Sequence, residues 1–146
     1  MKSSMNAFTL DEFFPYRLAV LSNKISRDFA SAYSQQFGIS RAEWRVIAHL
    51  SQQAKVSIRE IHQRVDMDKA KVSRAASRLE SMGVVLKKTN PADKRLIELS
   101  LTAKGQKMIS KIAPLAQKFE DETLAKLSKP QRQTLRAAME ILAGTS

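Results

Sequence analysis

The sequence contains no cysteine among its 146 residues. Disulfides, thiolate nucleophiles, cysteine-based zinc sites and cysteine redox sensing are therefore excluded, and nothing argues for an oxidising compartment. Histidine is scarce as well. His49 and His62 are the two, and they form no HExxH spacing, so neither a metal nor a cofactor is expected. No Gly-rich phosphate loop and no G-x-S-x-G elbow is present, and the chain is not read as an enzyme. Apolar runs stay well short of the ~20 residues that a membrane span requires. The N-terminal stretch MKSSMNAFTLDEFF lacks the apolar core of a signal peptide and turns acidic at Asp11 and Glu12. A cytoplasmic location with no membrane partner is the expectation.

Acids are also in short supply: 14 Asp and Glu stand against 25 Lys and Arg, a net charge of +11. Such an excess implies an acidic partner, whether nucleic acid, an anionic surface or a polyanionic ligand. The excess is local. Residues 55–104 carry twelve Lys and Arg against six Asp and Glu, which places just over half of it in about a third of the chain. That distribution favours localised nucleic-acid binding over diffuse solubility.

With four glycines and four prolines, punctuation is sparse and most of the chain reads as helix. Thr9-Leu-Asp-Glu12 has capping-box form, and Pro15 suits the first turn of a long helix running to Gln36, striped with Leu18, Leu21, Ile25 and Phe29 and ended by Gly38. Ser40-Arg-Ala-Glu43 and Ser57-Ile-Arg-Glu60 are two further capping boxes, opening short helices. Asp68 caps a fourth helix that stops at Gly83. Then the period changes from helical to alternating. Val84–Thr89 and Arg95–Leu101 read as the one strand pair, joined by the turn signal Asn90-Pro-Ala-Asp93. Thr102 caps a long helix that Pro114 should kink, and Ser128 opens the last helix. The fold class is mainly α with one β-hairpin (α+β), and the length fits a single domain.

The fourth helix carries two faces. Val72, Ala76 and Leu79 form an inward stripe, while Arg74, Ser77 and Ser81 point nearly the opposite way, flanked by Lys71, Ser73 and Arg78. A face of Arg, Lys and Ser suits base edges and phosphates. A solvated charged helix would look the same on its own. The hairpin that follows shifts the balance, because its loop presents Lys94 and Arg95 near the tip and its first strand adds Lys87 and Lys88. A basic hairpin beside a recognition helix can reach flanking phosphates or the minor groove. The competing reading is a basic helical adaptor for an acidic protein or an anionic membrane. That would need a continuous basic face on an amphipathic helix, which no segment shows as clearly.

Four stretches together resemble the MarR family of bacterial transcription regulators. They are Met67-Asp-Lys-Ala-Lys-Val-Ser-Arg74, Arg78-Leu-Glu-Ser-Met-Gly83, Asp93-Lys-Arg95 and Leu101-Thr-Ala-Lys-Gly105. The resemblance implies a winged helix-turn-helix over residues 40–101, with helices over 8–37 and 103–143 pairing two chains. It implies a homodimeric repressor on a pseudo-palindromic duplex. Lys69, Lys71, Ser73 and Arg74 would sit in the major groove, and Arg95 at the minor groove or backbone. Asp93 would orient the wing, and Ser57 would cap the shorter helix against a phosphate. Lys71 stands where a small polar residue is frequent in the family, which leaves the base preference open.

The chain's own chemistry agrees with pairing. Phe8, Leu10, Phe13 and Phe14 are too apolar for a free tail, and Leu124, Leu127, Leu135, Met139 and Leu142 supply a second apolar set. These sets either cover one monomer's core or join two copies, and a symmetric duplex site requires the second. The resemblance further implies release from DNA by a small effector, an aromatic acid or a CoA thioester as in members linked to aromatic-acid catabolism. Tyr16, Arg17, Trp44 and His49 are the candidate contacts. Arg17 matches a carboxylate or a phosphate. Trp44 is either a stacking surface or a core aromatic, and His49 either a ligand contact or a packed side chain.

Overall fold

The computed structural model describes residues 7–65 and 67–144. The first six residues of the stretch read for a leader lie outside them. A 3₁₀ turn at Leu10–Glu12 precedes α1 (Phe14–Phe37), α2 (Arg41–Leu50), β1 (Val56–Ser57), α3 (Ile58–Arg64) and α4 (Lys69–Ser81). Then follow β2 (Val85–Thr89), β3 (Ile97–Leu101), α5 (Ala103–Leu124) and α6 (Lys129–Ala143). This is a mainly helical chain with a small antiparallel sheet. It divides into two compact units, residues 1–111 and residues 112–146. Among the described residues no helix is long and apolar enough to cross a membrane.

Local chemistry sets the helix starts in the first unit. The Ser40 hydroxyl accepts from the Glu43 amide while the Glu43 carboxylate accepts from the Ser40 amide, a complete capping box. Ser57 caps α3 by accepting from the Glu60 amide at 3.1 Å, and Asp68 caps α4 by accepting from the Lys71 amide at 2.8 Å. The box expected at Thr9 does not form. Thr9 makes no side-chain cap bond, because the chain there enters a 3₁₀ turn of three residues rather than an α-helix.

The ends of α1 and α4 use glycine where only glycine is comfortable. Gly38 and Gly83 both take left-handed backbone, at φ 67° and 78°. Beyond Gly83 the Val84 amide bonds back to the Leu79 carbonyl, which turns the chain sharply from the helix into β2. Thr102 then ties this corner to the start of α5. Its amide reaches the Val84 carbonyl at 3.1 Å and its hydroxyl the Gly83 carbonyl at 2.6 Å.

The sheet has the order β1-β3-β2, with both pairings antiparallel. The hairpin matches the expected strand pair, and β1 is an addition to it. Val56 pairs with Leu99 and Ser57 with Glu98, so the two residues before α3 fasten the helix-turn-helix to the wing. The core of this unit lies where α2, α3 and α4 meet the sheet: Val46, Ile47, Ile61, Val72, Ala76, Leu79 and Leu99 are all fully buried. Phe29, Tyr33 and Trp44 form an aromatic cluster joining α1 to α2, with ring centroids 5.0–5.6 Å apart. Burial holds the Tyr33 phenol in its neutral form, pushing its pKa above the usual tyrosine value against the opposing pull of Arg41 and Arg45.

In the second unit, α6 starts with a complete capping box between Ser128 and Gln131 and ends at Gly144 in left-handed backbone. The helix α5 continues through Pro114. Leu135, Met139 and Leu142 share one side of α6 and are exposed by 43–67%.

Candidate nucleic-acid interface

The helix-turn-helix is built from α3 and α4, with β2 and β3 as the wing. The buried side of α4 is Val72, Ala75, Ala76 and Leu79. Helical periodicity then forces Lys69, Lys71, Arg74 and Ser77 outward, and all four are exposed. Ser73 is half-buried. It lines a cavity of about 210 Å³ with Ile58 and Arg59 of α3, Lys69 of α4, and Asp93 and Arg95 of the wing. Three cations and one carboxylate thus meet at the junction of α3, α4 and the wing.

The wing loop is ordered by its own side chains. Asn90 Oδ1 accepts from the amides of Ala92 and Asp93 at 2.8 and 3.1 Å, closing an Asx turn. Asp93 then receives Arg95 three times. Its Oδ1 accepts the Arg95 amide at 3.1 Å and Nε at 3.0 Å, and its Oδ2 accepts Nη2 at 3.2 Å. These bonds hold the Asp93 carboxyl below its ordinary pKa, with a smaller contribution from Arg59, and they raise that of Arg95. The Arg95 side chain remains 89% exposed, so its guanidinium is oriented by Asp93 yet presented to solvent. Lys94 is exposed beside it.

The two lysines of β2 part company. Lys87 shares the α4-facing side of the hairpin with Val85, and its Nζ donates to Ser77 Oγ at 3.0 Å. Lys88, one residue on, faces the opposite side across from Glu98. Arg59 is the functional candidate that sequence reasoning passed over, and Lys87 entered it only as charge on the first strand of the hairpin. For Lys87 the signal existed in the period-2 alternation with buried Val85. Arg59 was masked by its place inside a capping box.

Ser57 caps α3 as expected, with its hydroxyl buried in that role. One proposed contact has other partners here: Arg78 donates through Nη1 to the Glu43 carboxylate at 2.5 Å and to the Gly38 carbonyl at 3.0 Å. The four ligand candidates are not brought together. Tyr16 and Arg17 line one open cleft along α1 with Asp11, Glu12, Leu21 and Lys24. Trp44 belongs to the aromatic cluster with Phe29 and Tyr33, and His49 lies near the end of α2 with its Nε2 buried and unpartnered among the described residues. Among the described residues no group of three or more His, Asp or Glu could hold a metal ion.

Residues 37–96, which contain this lobe, match the model of the MarR family. Among curated proteins the chain is 30% identical over 98 residues, 67% of its length, to the uncharacterised HTH-type transcriptional regulator YdgJ of Bacillus subtilis. The matched stretch spans 60% of that relative. Among solved structures, the MarR/EmrR family transcriptional regulator from Acinetobacter sp. ADP1 is 28% identical, with a TM-score of 0.82 over 94% of this chain and 96% of the other. BpsR of Bordetella bronchiseptica, whose DNA binding is regulated by 6-hydroxynicotinic acid, shares the fold at 18% identity, with a TM-score of 0.80 over 94% of this chain and 98% of the other.

Proposed function

We propose, from the premise that residues 37–96 form a MarR-family winged helix-turn-helix, that the protein is a sequence-specific DNA-binding transcription regulator acting as a homodimeric repressor. The observation that carries the reading is the pairing of two basic surfaces in one lobe: the exposed face of α4 with Lys69, Lys71 and Arg74, and the Asp93-oriented Arg95 of the wing. A helix of this exposure enters a major groove with its N-terminal half, and a cationic wing tip lies against the flanking backbone or minor groove. The cavity between α3, α4 and the wing supplies Arg59 and Lys69 on the same side, adding phosphate-binding charge.

Dimerisation follows from surfaces that a single chain leaves uncovered. Phe13 and Phe14 are about half exposed before and at the start of α1, and Met139 and Leu142 are more than 60% exposed on α6. Large apolar side chains left exposed on each of these elements mark an association surface. A second copy also supplies the second recognition helix that a pseudo-palindromic duplex demands.

For the effector, we propose a small aromatic acid bound at the α1 cleft, with Arg17 pairing its carboxylate and Tyr16 against its ring. The regulation of BpsR by 6-hydroxynicotinic acid, a protein of the same fold, supports that ligand class. A thermal-shift screen of aromatic acids and CoA thioesters tests it, because a binder of the folded state raises the melting temperature and Arg17→Ala removes the rise. The DNA reading is tested by titrating salt against binding to a duplex enriched from a random pool and to unselected duplex. A steep salt slope with a clear preference for the enriched duplex is expected. Equal affinity for both would overturn it.

A further inference from the structure

Arg78 follows Arg74 by about one turn of α4 and, by periodicity, shares its side of the helix. Its head group nevertheless leaves that side. One nitrogen, Nη1, spans Gly38, which ends α1, and Glu43, in the first turn of α2. These partners are 40 and 35 residues away in sequence. The Glu43 side chain is only 8% exposed, and its Oε1 also accepts the Ser40 amide at 3.0 Å. Swinging Arg78 out to a phosphate would leave that buried carboxylate without its counter-charge, a costly state.

We infer that Arg78 is a positioning residue, one that fixes the angle of the recognition helix against the α1–α2 junction instead of contacting DNA. This rests on the DNA-reading function proposed above. The geometry gives it a clear job. The exposed face of α4 can meet base edges only if the helix is held at one tilt, and Val72, Ala75, Ala76 and Leu79 are apolar contacts along which a helix can roll. Arg78 adds a directional tie at the C-terminal half of α4 to the end of the helix whose apolar surface is proposed to join two chains.

The test compares Arg78→Gln, Glu43→Gln and the double variant with wild type. Glutamine at position 43 keeps an oxygen for the Ser40 amide and so spares the α2 cap. Each chain is titrated, below its melting temperature and corrected for active fraction, with the duplex that wild type enriches from a random pool and with unselected duplex. A positioning role predicts that each single variant loses about tenfold in affinity for the enriched duplex, and that the double variant loses no more than either, because both changes break one tie. Affinity for unselected duplex and the salt slope stay at wild-type values. A direct phosphate contact predicts a salt slope lower by about one for Arg78→Gln on both duplexes, with no effect of Glu43→Gln. That result overturns the inference, as does wild-type affinity in both single variants, which would leave Arg78 a merely structural strut. A wild-type chain that enriches no duplex would overturn the DNA reading itself, and the inference with it.

Discussion

Asp93 grips Arg95 across two residues with both carboxylate oxygens, Nε at 3.0 Å and Nη2 at 3.2 Å, while the arginine stays 89% exposed. The wing thus carries a pre-oriented cation. Since these bonds favour the ionised carboxylate, the folded-state pKa of Asp93 is depressed below the ordinary 3.8. The sign follows directly. The clamp is intact above the unfolded value and is lost only as pH falls through the depressed folded value, so it persists throughout the neutral range. Carboxyl-carbon NMR titration should place the Asp93 midpoint below that of an exposed aspartate, and Arg95→Ala should return it toward the ordinary value. An unshifted midpoint in the wild type would rule out the clamp in solution.

Arg74 and Arg95 should fail differently when truncated. Arg74 stands on the outermost side of α4, opposite Val72 and Leu79, where a bidentate base contact can form. Arg74→Ala should cost about 1–3 kcal/mol in affinity for the preferred duplex and blunt discrimination at one base pair. Arg95→Ala should weaken binding evenly across sequences and lower the salt slope by about one. Competition titrations against single-base variants of the duplex separate the two patterns. If neither change alters affinity, the docking of α4 and the wing is wrong.

Gly105 has no room for a side chain. A methyl group there would stand 2.1 Å from the Val84 carbonyl oxygen and 3.1 Å from a Leu101 methyl. The obstacle is backbone, which cannot swing aside, and it sits in the corner where Thr102 binds both Gly83 and Val84. Gly105→Ala should therefore destabilise the chain by about 1–3 kcal/mol, the usual cost of overpacking, despite alanine's better helix propensity. Chemical denaturation measures it. Unchanged stability would mean that the start of α5 does not approach the Val84 carbonyl so closely.

Much of this fold could be read in the sequence because its signals are short-range. Ser40, Asp68 and Ser128 cap the helices whose starts they mark, and the 3.6-residue stripe of Val72, Ala76 and Leu79 is the buried side of α4. The alternation of Ile97, Leu99 and Leu101 is a strand. What could not be read depends on partners far along the chain. The two-residue strand β1 exists only through pairing with Leu99 and Glu98, and two residues carry no period. Arg78 shows the same limit at the site. Its place on the wheel puts it among the groove-facing cations, and only the fold brings Glu43 to it. Lys87 and Lys88 are chemically alike, and their opposite orientations follow from strand register, which depends on where β2 begins.

The apolar side of α6 should hold two chains together. Leu135, Met139 and Leu142 recur at spacings of four and three, and each is exposed by at least 43%. Isolated apolar side chains are common on surfaces, but three aligned on one helix expose a continuous strip whose hydration a partner would relieve, at roughly 25 cal/mol per Å². Replacing Met139, the middle member, with Glu sets a charge in that strip without touching the helix-turn-helix. Sedimentation velocity should show wild type at twice the chain mass and Met139→Glu shifted toward one chain at micromolar concentration. The same variant should lose most of its affinity for a duplex with two half-sites while binding a single half-site as weakly as wild type does, because each lobe keeps its own α4 and wing. A variant that stays dimeric would place the pairing surface elsewhere, and one that becomes monomeric yet keeps full affinity would break the link between pairing and DNA reading.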